Sequence, residues 1–296
     1  MTEPLAEIPL RGAGGEPVDL RRTLHSHGVA SLSPHRLDGD TLEVTVALPG
    51  GRARTVTLAP SGGHARVDGV RVGARDAAAI VATLRTMLRL DDDLSPFYAV
   101  AAADDDLRWA ATGAGRMLRS ATLFEDVVKT ICTTNCAWGG TVRMTTALVS
   151  ELGPEAPGGG RAFPSPAVMA QTEESFYRDV ARAGYRGPYL RSLAASVAEG
   201  TTVLEELEDP ELPDDEVAAR LLALPGVGPY AAAHVMTTAL GRYSRLILDS
   251  WTRPTYMRLA GAKRKLADRT IERRFKRYGP YAGLAFWLYL TKDWVD

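Results

Sequence analysis

Residues 214–236 read DDEVAARLLALPGVGPYAAAHVM, and how this stretch folds decides how the rest of the chain is read. Asp214 and Asp215 favour a helix N-terminus, and Val217, Leu221 and Leu222 give that helix an apolar face. Leu224-Pro225-Gly226-Val227-Gly228 then interrupts it. Gly228 is placed to cap a second helix with Pro229 at its first position, and Gly241 to close it. Two helices joined by a glycine hairpin leave backbone N–H groups exposed at a helix N-terminus, where a phosphate can dock. Taken alone, L-P-G-x-G favours the plainer reading, a tight turn between helices.

The surroundings change that reading. Asp249 stands 21 residues after Gly228, directly behind apolar Leu246-Ile247-Leu248. Upstream lie Ile131-Cys132-Thr133-Thr134-Asn135 and Gly184-Tyr185-Arg186-Gly187-Pro188-Tyr189. Downstream lies Tyr278-Gly279-Pro280-Tyr281-Ala282-Gly283. In this order the four segments resemble the helix-hairpin-helix DNA glycosylases, in particular the 8-oxoguanine and 3-methyladenine branch. The resemblance runs from about residue 76 to 290 and more faintly through the N-terminal region.

The resemblance implies an enzyme that extrudes a damaged base from double-stranded DNA and cuts its N-glycosidic bond. Such an enzyme needs a phosphate grip, a plug for the vacated stack, a pocket and a group that helps break the C1′–N bond. By resemblance Leu224, Gly226, Val227 and Gly228 supply the grip. Asn135 is the plug, although Asn equally suits a helix C-cap. Cleavage develops oxocarbenium character at the sugar, which a nearby carboxylate stabilises while orienting or deprotonating water. Asp249 takes this role by resemblance; without it, the simpler role is an N-cap for the helix after Ser250. Pro254 departs from the family pattern and is expected to delay or kink that helix.

Bifunctional members carry a Schiff-base Lys two positions after the last hairpin glycine. Here that position is Tyr230, so the chain resembles the monofunctional enzymes, with water as nucleophile. His234, Phe286 and Leu290 stand where 8-oxoguanine enzymes place Cys, Gln and Phe, and Thr130 where adenine-mismatch enzymes place Glu. The four-cysteine iron–sulfur motif is absent. What remains resembles the aromatic base pocket of the alkylpurine glycosylases, built here of Tyr230, His234 and Phe286 with Trp251 or Trp287 and suited to electron-poor alkylated purines such as 3-methyladenine, although aromatics near the C-terminus more often pack in a core than line a pocket. His234 reads as a core histidine or as a pocket donor. The rivals are a non-catalytic lesion binder and a glycosylase/lyase using Lys129, Lys263 or Lys265.

The rest of the chain frames this site. Leu42, Val44, Val46 and Leu48 alternate with polar residues as in a half-buried strand, Pro49-Gly50-Gly51 gives a turn, and Thr55–Leu58 returns. Asp68-Gly69 suggests a second hairpin joining 65–67 to 70–72. From Asp76, an expected N-cap, the period becomes helical, with Ile80, Leu84 and Leu88 on one face. Thr122-Leu123-Phe124-Glu125 is a capping box before Phe124, Val127, Val128 and Ile131. The expected class is α+β: an antiparallel β domain over 1–75 and a helical domain over 76–296.

Composition excludes little. The 296 residues carry 45% hydrophobic and 24% charged residues and a net charge of −1, ordinary for a globular protein. Residues 241–280 hold twelve Lys/Arg, Arg273 and Arg274 among them, against three acidic residues. Such a stretch is a solvated face or a phosphate-docking surface. Two cysteines, Cys132 and Cys136, exclude a disulfide framework and fall short of a metal site. No signal peptide or membrane span is read, so a cytosolic monomer without metal or cofactor is expected.

Overall fold

The computed structural model describes residues 4–295. Strands β1 (Ala6–Pro9), β2 (His35–Asp38), β3 (Thr41–Leu48), β4 (Arg52–Ser61) and β5 (His64–Gly69) form one antiparallel sheet in the order β1-β5-β4-β3-β2. The helices are α1 (Leu20–Leu24), α2 (Ala74–Met87), α3 (Ser95–Ala102), α4 (Leu123–Thr133), α5 (Trp138–Leu152) and α6 (Pro166–Gln171). They continue as α7 (Arg186–Ala198), α8 (Asp214–Leu222), α9 (Pro229–Thr238), α10 (Thr252–Leu259), α11 (Asp268–Phe275) and α12 (Ala282–Thr291). The class is α+β.

The β3–β4 hairpin follows its alternation: Leu42, Val44, Val46 and Leu48 are buried, and Val44 pairs Val56. The second hairpin does not form at Asp68-Gly69. β5 runs through those residues, and the chain turns at Gly62-Gly63, both at positive φ, a two-residue loop that matches strand twist. Strands β1 and β2, at the two edges, gave no alternation to read.

Helix α2 begins at Ala74, with Asp76 in its first turn ion-paired to Arg52 rather than at the N-cap. Its Ile80, Leu84 and Met87 pack with Leu88 on the sheet, so the sheet layer extends past residue 75. The helical remainder has two cores. One gathers α4, α5, α7 and α8; the other gathers α3, α10, α11 and α12. Helix α9 stands between them, buried at every residue from Ala231 to Thr238.

Buried ion pairs tie the layers together. Arg116, fully buried, meets Glu16 and the carbonyls of Arg89 and Asp92. Arg89 donates to the carbonyl of Ala239 at the end of α9, 3.1 Å away. In α4, Lys129 pairs with Glu125 at 2.6 Å and with Ser120, all three buried. Thr122 caps α4 by accepting from Glu125 N, but Glu125 turns to Lys129 instead of completing the capping box.

Candidate active site

Helices α8 and α9 meet as the sequence suggests, through a hairpin whose side chains and backbone serve different ends. Val227 is buried and Leu224 packs beside it in the first helical core. Their side chains hold the turn down, which leaves its backbone at the surface. Gly226 sits at φ +78°, and a Cβ there would lie 3.1 Å from Tyr189. Gly228 caps α9 at φ −99°, a conformation open to any residue, and a Cβ there would meet no protein atom within 4 Å. Pro229 follows at the first helical position.

Beside the hairpin opens a cavity of about 770 Å³. Gly226, Gly228, Asn135 and Tyr185 lie along it, together with Tyr230, His234, Asp249 and Trp251. His27, Trp138, Trp287 and Trp294 also belong to the wall. The histidines are buried, whereas Trp138, Trp251 and Trp294 are 46%, 39% and 46% exposed. The space thus has a histidine-lined interior and a tryptophan-rich rim. Its volume falls within the range of small-molecule sites.

Asp249 occupies the cavity wall and caps a helix at once. Its Oδ1 accepts from Trp251 N (2.8 Å) and Thr252 N (2.6 Å), and Thr252 Oγ1 accepts from Asp249 N (2.8 Å). Among the described residues nothing hydrogen-bonds Oδ2. Helix α10 begins at Thr252, and Pro254 falls in its first turn, where a missing N–H costs no intrahelical bond. The proline therefore neither delays the helix nor displaces Asp249 from its wall.

Tyr230 and His234 are one turn apart on α9, their rings 5.8 Å apart. Thr133 Oγ1 gives its proton to the Thr130 carbonyl, so the Tyr230 hydroxyl donates to Thr133, 3.3 Å away. Burial raises the Tyr230 pKa, and the charge of Asp249 adds to the rise. His234 is both core and cavity residue, its Nδ1 at 3.4 and 3.3 Å from the hydroxyls of Thr130 and Thr238. Burial lowers its pKa to about 4. The His27 ring meets the His234 ring edge-on at 5.8 Å, and burial, reinforced by His234, lowers the His27 pKa to about 3.

Asn135 is exposed, follows α4 at φ +43° and donates to the Tyr185 hydroxyl at 3.2 Å. Arg186 stacks on Tyr185 and donates to the Thr134 carbonyl, which braces this end of α4. Cys136 lines the cavity, while Cys132 is buried, its thiol pushed up to about 12 by desolvation.

Other expected site residues lie elsewhere. Phe286 is fully buried against Phe275 and Tyr256 and does not line the cavity, and Leu290 is buried in the same core. The face of α12 turned toward the cavity carries Trp287 instead. Arg273 lines a second groove, about 900 Å³, which shares Tyr230 and Arg253 with the first. Arg274 lies 5.6 Å from the Tyr289 ring. Within the basic stretch, Arg242, Arg245, Arg253 and Arg277 are spent on ion pairs. Lys263, Arg264, Lys265, Arg269, Arg273 and Lys276 make none among the described residues. Lys129 is sealed in its pair with Glu125, and among the described residues no lysine lines the cavity. His27, Trp138 and Trp294 were not anticipated; no motif marks them, and His27 arrives from more than 200 positions upstream of Asp249 in the chain.

The buried imidazoles predict a pH dependence of stability. Their folded pKa values lie below the unfolded value, so the unfolded chain binds more protons. Stability is full above about pH 6.5 and falls as pH drops toward the folded values. At pH 5 the loss is about 2 kcal/mol per imidazole. Urea denaturation of the double variant His27→Gln/His234→Gln should show a shallower decline from pH 7 to 5, His35 retaining a residual slope. An unchanged slope would mean that the two rings are charged or hydrated in the folded chain.

No family model matches the chain. It is 37% identical over 134 residues to the N-glycosylase/DNA lyase OGG1 of Arabidopsis thaliana, covering 42% of this chain and 36% of that protein. It is 29% identical over 80 residues to a putative DNA-3-methyladenine glycosylase of Bacillus subtilis, covering 27% of each. The chain thus matches about a third or less of the length of these curated relatives. The 3-methyladenine DNA glycosylase of Archaeoglobus fulgidus superposes with a TM-score of 0.75 at 21% identity, over 98% of this chain and 100% of that one. The chain has the fold of the helix-hairpin-helix DNA glycosylases and resembles their 8-oxoguanine and 3-methyladenine branch.

Proposed function

We propose that this chain is a monofunctional DNA glycosylase that hydrolyses the N-glycosidic bond of an extruded, alkylated purine in double-stranded DNA. The observation that carries the reading is Asp249: a carboxylate held by a helix start on the wall of a cavity with room for a base, beside a glycine hairpin. The α9 N-terminus offers backbone N–H groups to a phosphate, with Gly228 leaving clearance. Asn135, exposed at the cavity mouth, fills the vacated stack. Arg273 and its unpaired neighbours on α11 approach the DNA backbone, and Arg274 adds to the same positive surface.

In hydrolysis the C1′–N bond breaks with its electron pair leaving on the base. Water forms the new C1′–O bond, and one water proton passes to Asp249 or to solvent. Asp249 also opposes the positive charge that develops on the sugar. At neutral pH neither His27 nor His234 holds an extra proton to give the departing base. A base that is already cationic needs none, which supports N-alkylated purines as substrates. The exposed tryptophans favour such electron-poor rings by stacking, worth roughly 1–3 kcal/mol per base. Both curated relatives are named glycosylases, one of them also a lyase. The absence of a lysine among the described cavity residues, with Tyr230 where a nucleophilic amine would stand, supports water as the nucleophile.

Asp249→Asn keeps an oxygen for the N–H groups of Trp251 and Thr252, so the fold should survive while the charge is lost. Single-turnover excision of 3-methyladenine should fall by on the order of 10²–10³ or more with duplex binding retained. A rate within about tenfold of wild type would overturn the role of Asp249. A wild type that binds lesion duplexes and cleaves none would favour a non-catalytic lesion binder.

Borohydride should trap no covalent protein–DNA adduct, and strand scission should require added alkali. Stoichiometric trapping would assign the chain to the lyases.

Gly228→Ser preserves an N-cap and places a side chain where the fold has room. Thermal stability should change by less than about 0.5 kcal/mol. Affinity for damaged and undamaged duplex should fall together, by tenfold or more if one phosphate contact is lost. Unchanged affinity would remove the hairpin from the DNA interface.

A further inference from the structure

Several buried polar atoms lack a hydrogen-bond partner, and among the described residues one belongs to a side chain that lines the cavity: Nδ1 of His27. The ring's other nitrogen is accounted for. Nε2 lies 2.7 Å from the Leu118 carbonyl, which can only accept, so Nε2 carries the proton. A second proton on Nδ1 would bury a cation with no carboxylate against it. Nδ1 is therefore a bare lone pair, 96% of its residue being buried. A buried acceptor left unmade costs free energy that a ligand's N–H recovers on binding.

The Leu118 carbonyl holds the ring, and neighbouring contacts hold the segment that carries it. Ser26 Oγ accepts from Leu118 N (2.9 Å), and the Ser26 carbonyl accepts from Trp287 Nε1 (2.8 Å). On the other side, a Cβ at Gly28 would lie 3.2 Å from the Trp138 ring, so the segment is confined between two cavity tryptophans. The N-terminal region thus adds to the wall of a site otherwise built by helices a residue whose buried acceptor is unsatisfied.

We propose that His27 determines specificity: Nδ1 accepts a hydrogen bond from an N–H of the bound base, favouring purines with a 6-amino group over those with a 6-oxo group. A carbonyl brought to the same place opposes lone pair to lone pair. This inference rests on the base-binding reading of the cavity, and its test is separate from cleavage.

The full chain is titrated with three duplexes: unmodified, and carrying a carbon-linked adenine or hypoxanthine isostere, whose C1′–C bond resists hydrolysis. Wild type should bind the amino isostere about tenfold more tightly than the oxo isostere. His27→Phe, which keeps an aromatic ring and removes the acceptor, should bring the two within about twofold. His27→Gln, which restores an acceptor, should recover part of the preference. In wild type, the ¹⁵N resonance of His27 Nδ1 should move upfield with the amino isostere and stay with the oxo isostere, a readout independent of whether a variant folds. Equal binding of the two isosteres, a preference that survives His27→Phe, or an unmoved resonance overturns the role of His27 and leaves the glycosylase reading standing. Failure of both isosteres to exceed unmodified duplex overturns the base-binding cavity itself.

Discussion

Helix α9 is buried from Ala231 to Thr238 between two hydrophobic cores, and the candidate site is built around that confinement. Its Ala231-Ala232-Ala233 run keeps the helix thin enough for two cores to close on it. Arg89 fastens the far end through the Ala239 carbonyl. A helix held on all sides has no freedom to rotate or slide, because close-packed interiors leave no room for either. Its N-terminus therefore emerges at a fixed point with its N–H groups free, and Tyr230 and His234 face a fixed cavity. The helix N-terminus and the two cavity side chains, carried on one rigid element, are held in register without further machinery.

The structural role of Asp249 leaves its side chain placed for the chemical role proposed for it. Two backbone N–H groups hold Oδ1, and the Thr252 hydroxyl returns a bond to Asp249 N. These bonds fix the carboxylate plane and direction, as a preorganised group requires. The N-cap reading and the catalytic reading of this residue are thus compatible. Likewise, part of the basic stretch serves the fold through ion pairs, which leaves a smaller set of cations free for an anionic partner.

The sequence showed what local chemistry dictates: a glycine hairpin, a proline-started helix, the alternation of β3 and β4, and the spacing to Asp249. It was silent where long-range packing decides. Asp68-Gly69 is a strong turn signal, yet Gly62-Gly63 turns the chain, because β5 must run through Val67 to pair with both β4 and β1. Helix α12 is buried on nearly every face, so no polar stripe sets its phase; of the two aromatics read there as pocket candidates, Trp287 reaches the cavity, and Phe286, about 100° around the helix, turns into the core. His27 had no signal at all. It reaches the site only because Leu118 and Trp287 hold an otherwise unremarkable segment against the helices.

The two hairpin glycines divide the work differently from what their shared motif suggests. Gly226 is demanded by the fold: its φ is left-handed, and Tyr189 occupies the space where a side chain would go. Gly228 is demanded by nothing inside the protein. Its backbone is in an ordinary extended conformation, the space around its missing Cβ is empty, and Ser or Asn would cap α9 at least as well. A position that gives up a better cap while facing open space is explained by a body that must come close from outside. At the positive end of a buried helix, beside a cavity with a carboxylate on its wall, an anion is the body such a place suits, which is what the phosphate contact proposed above requires.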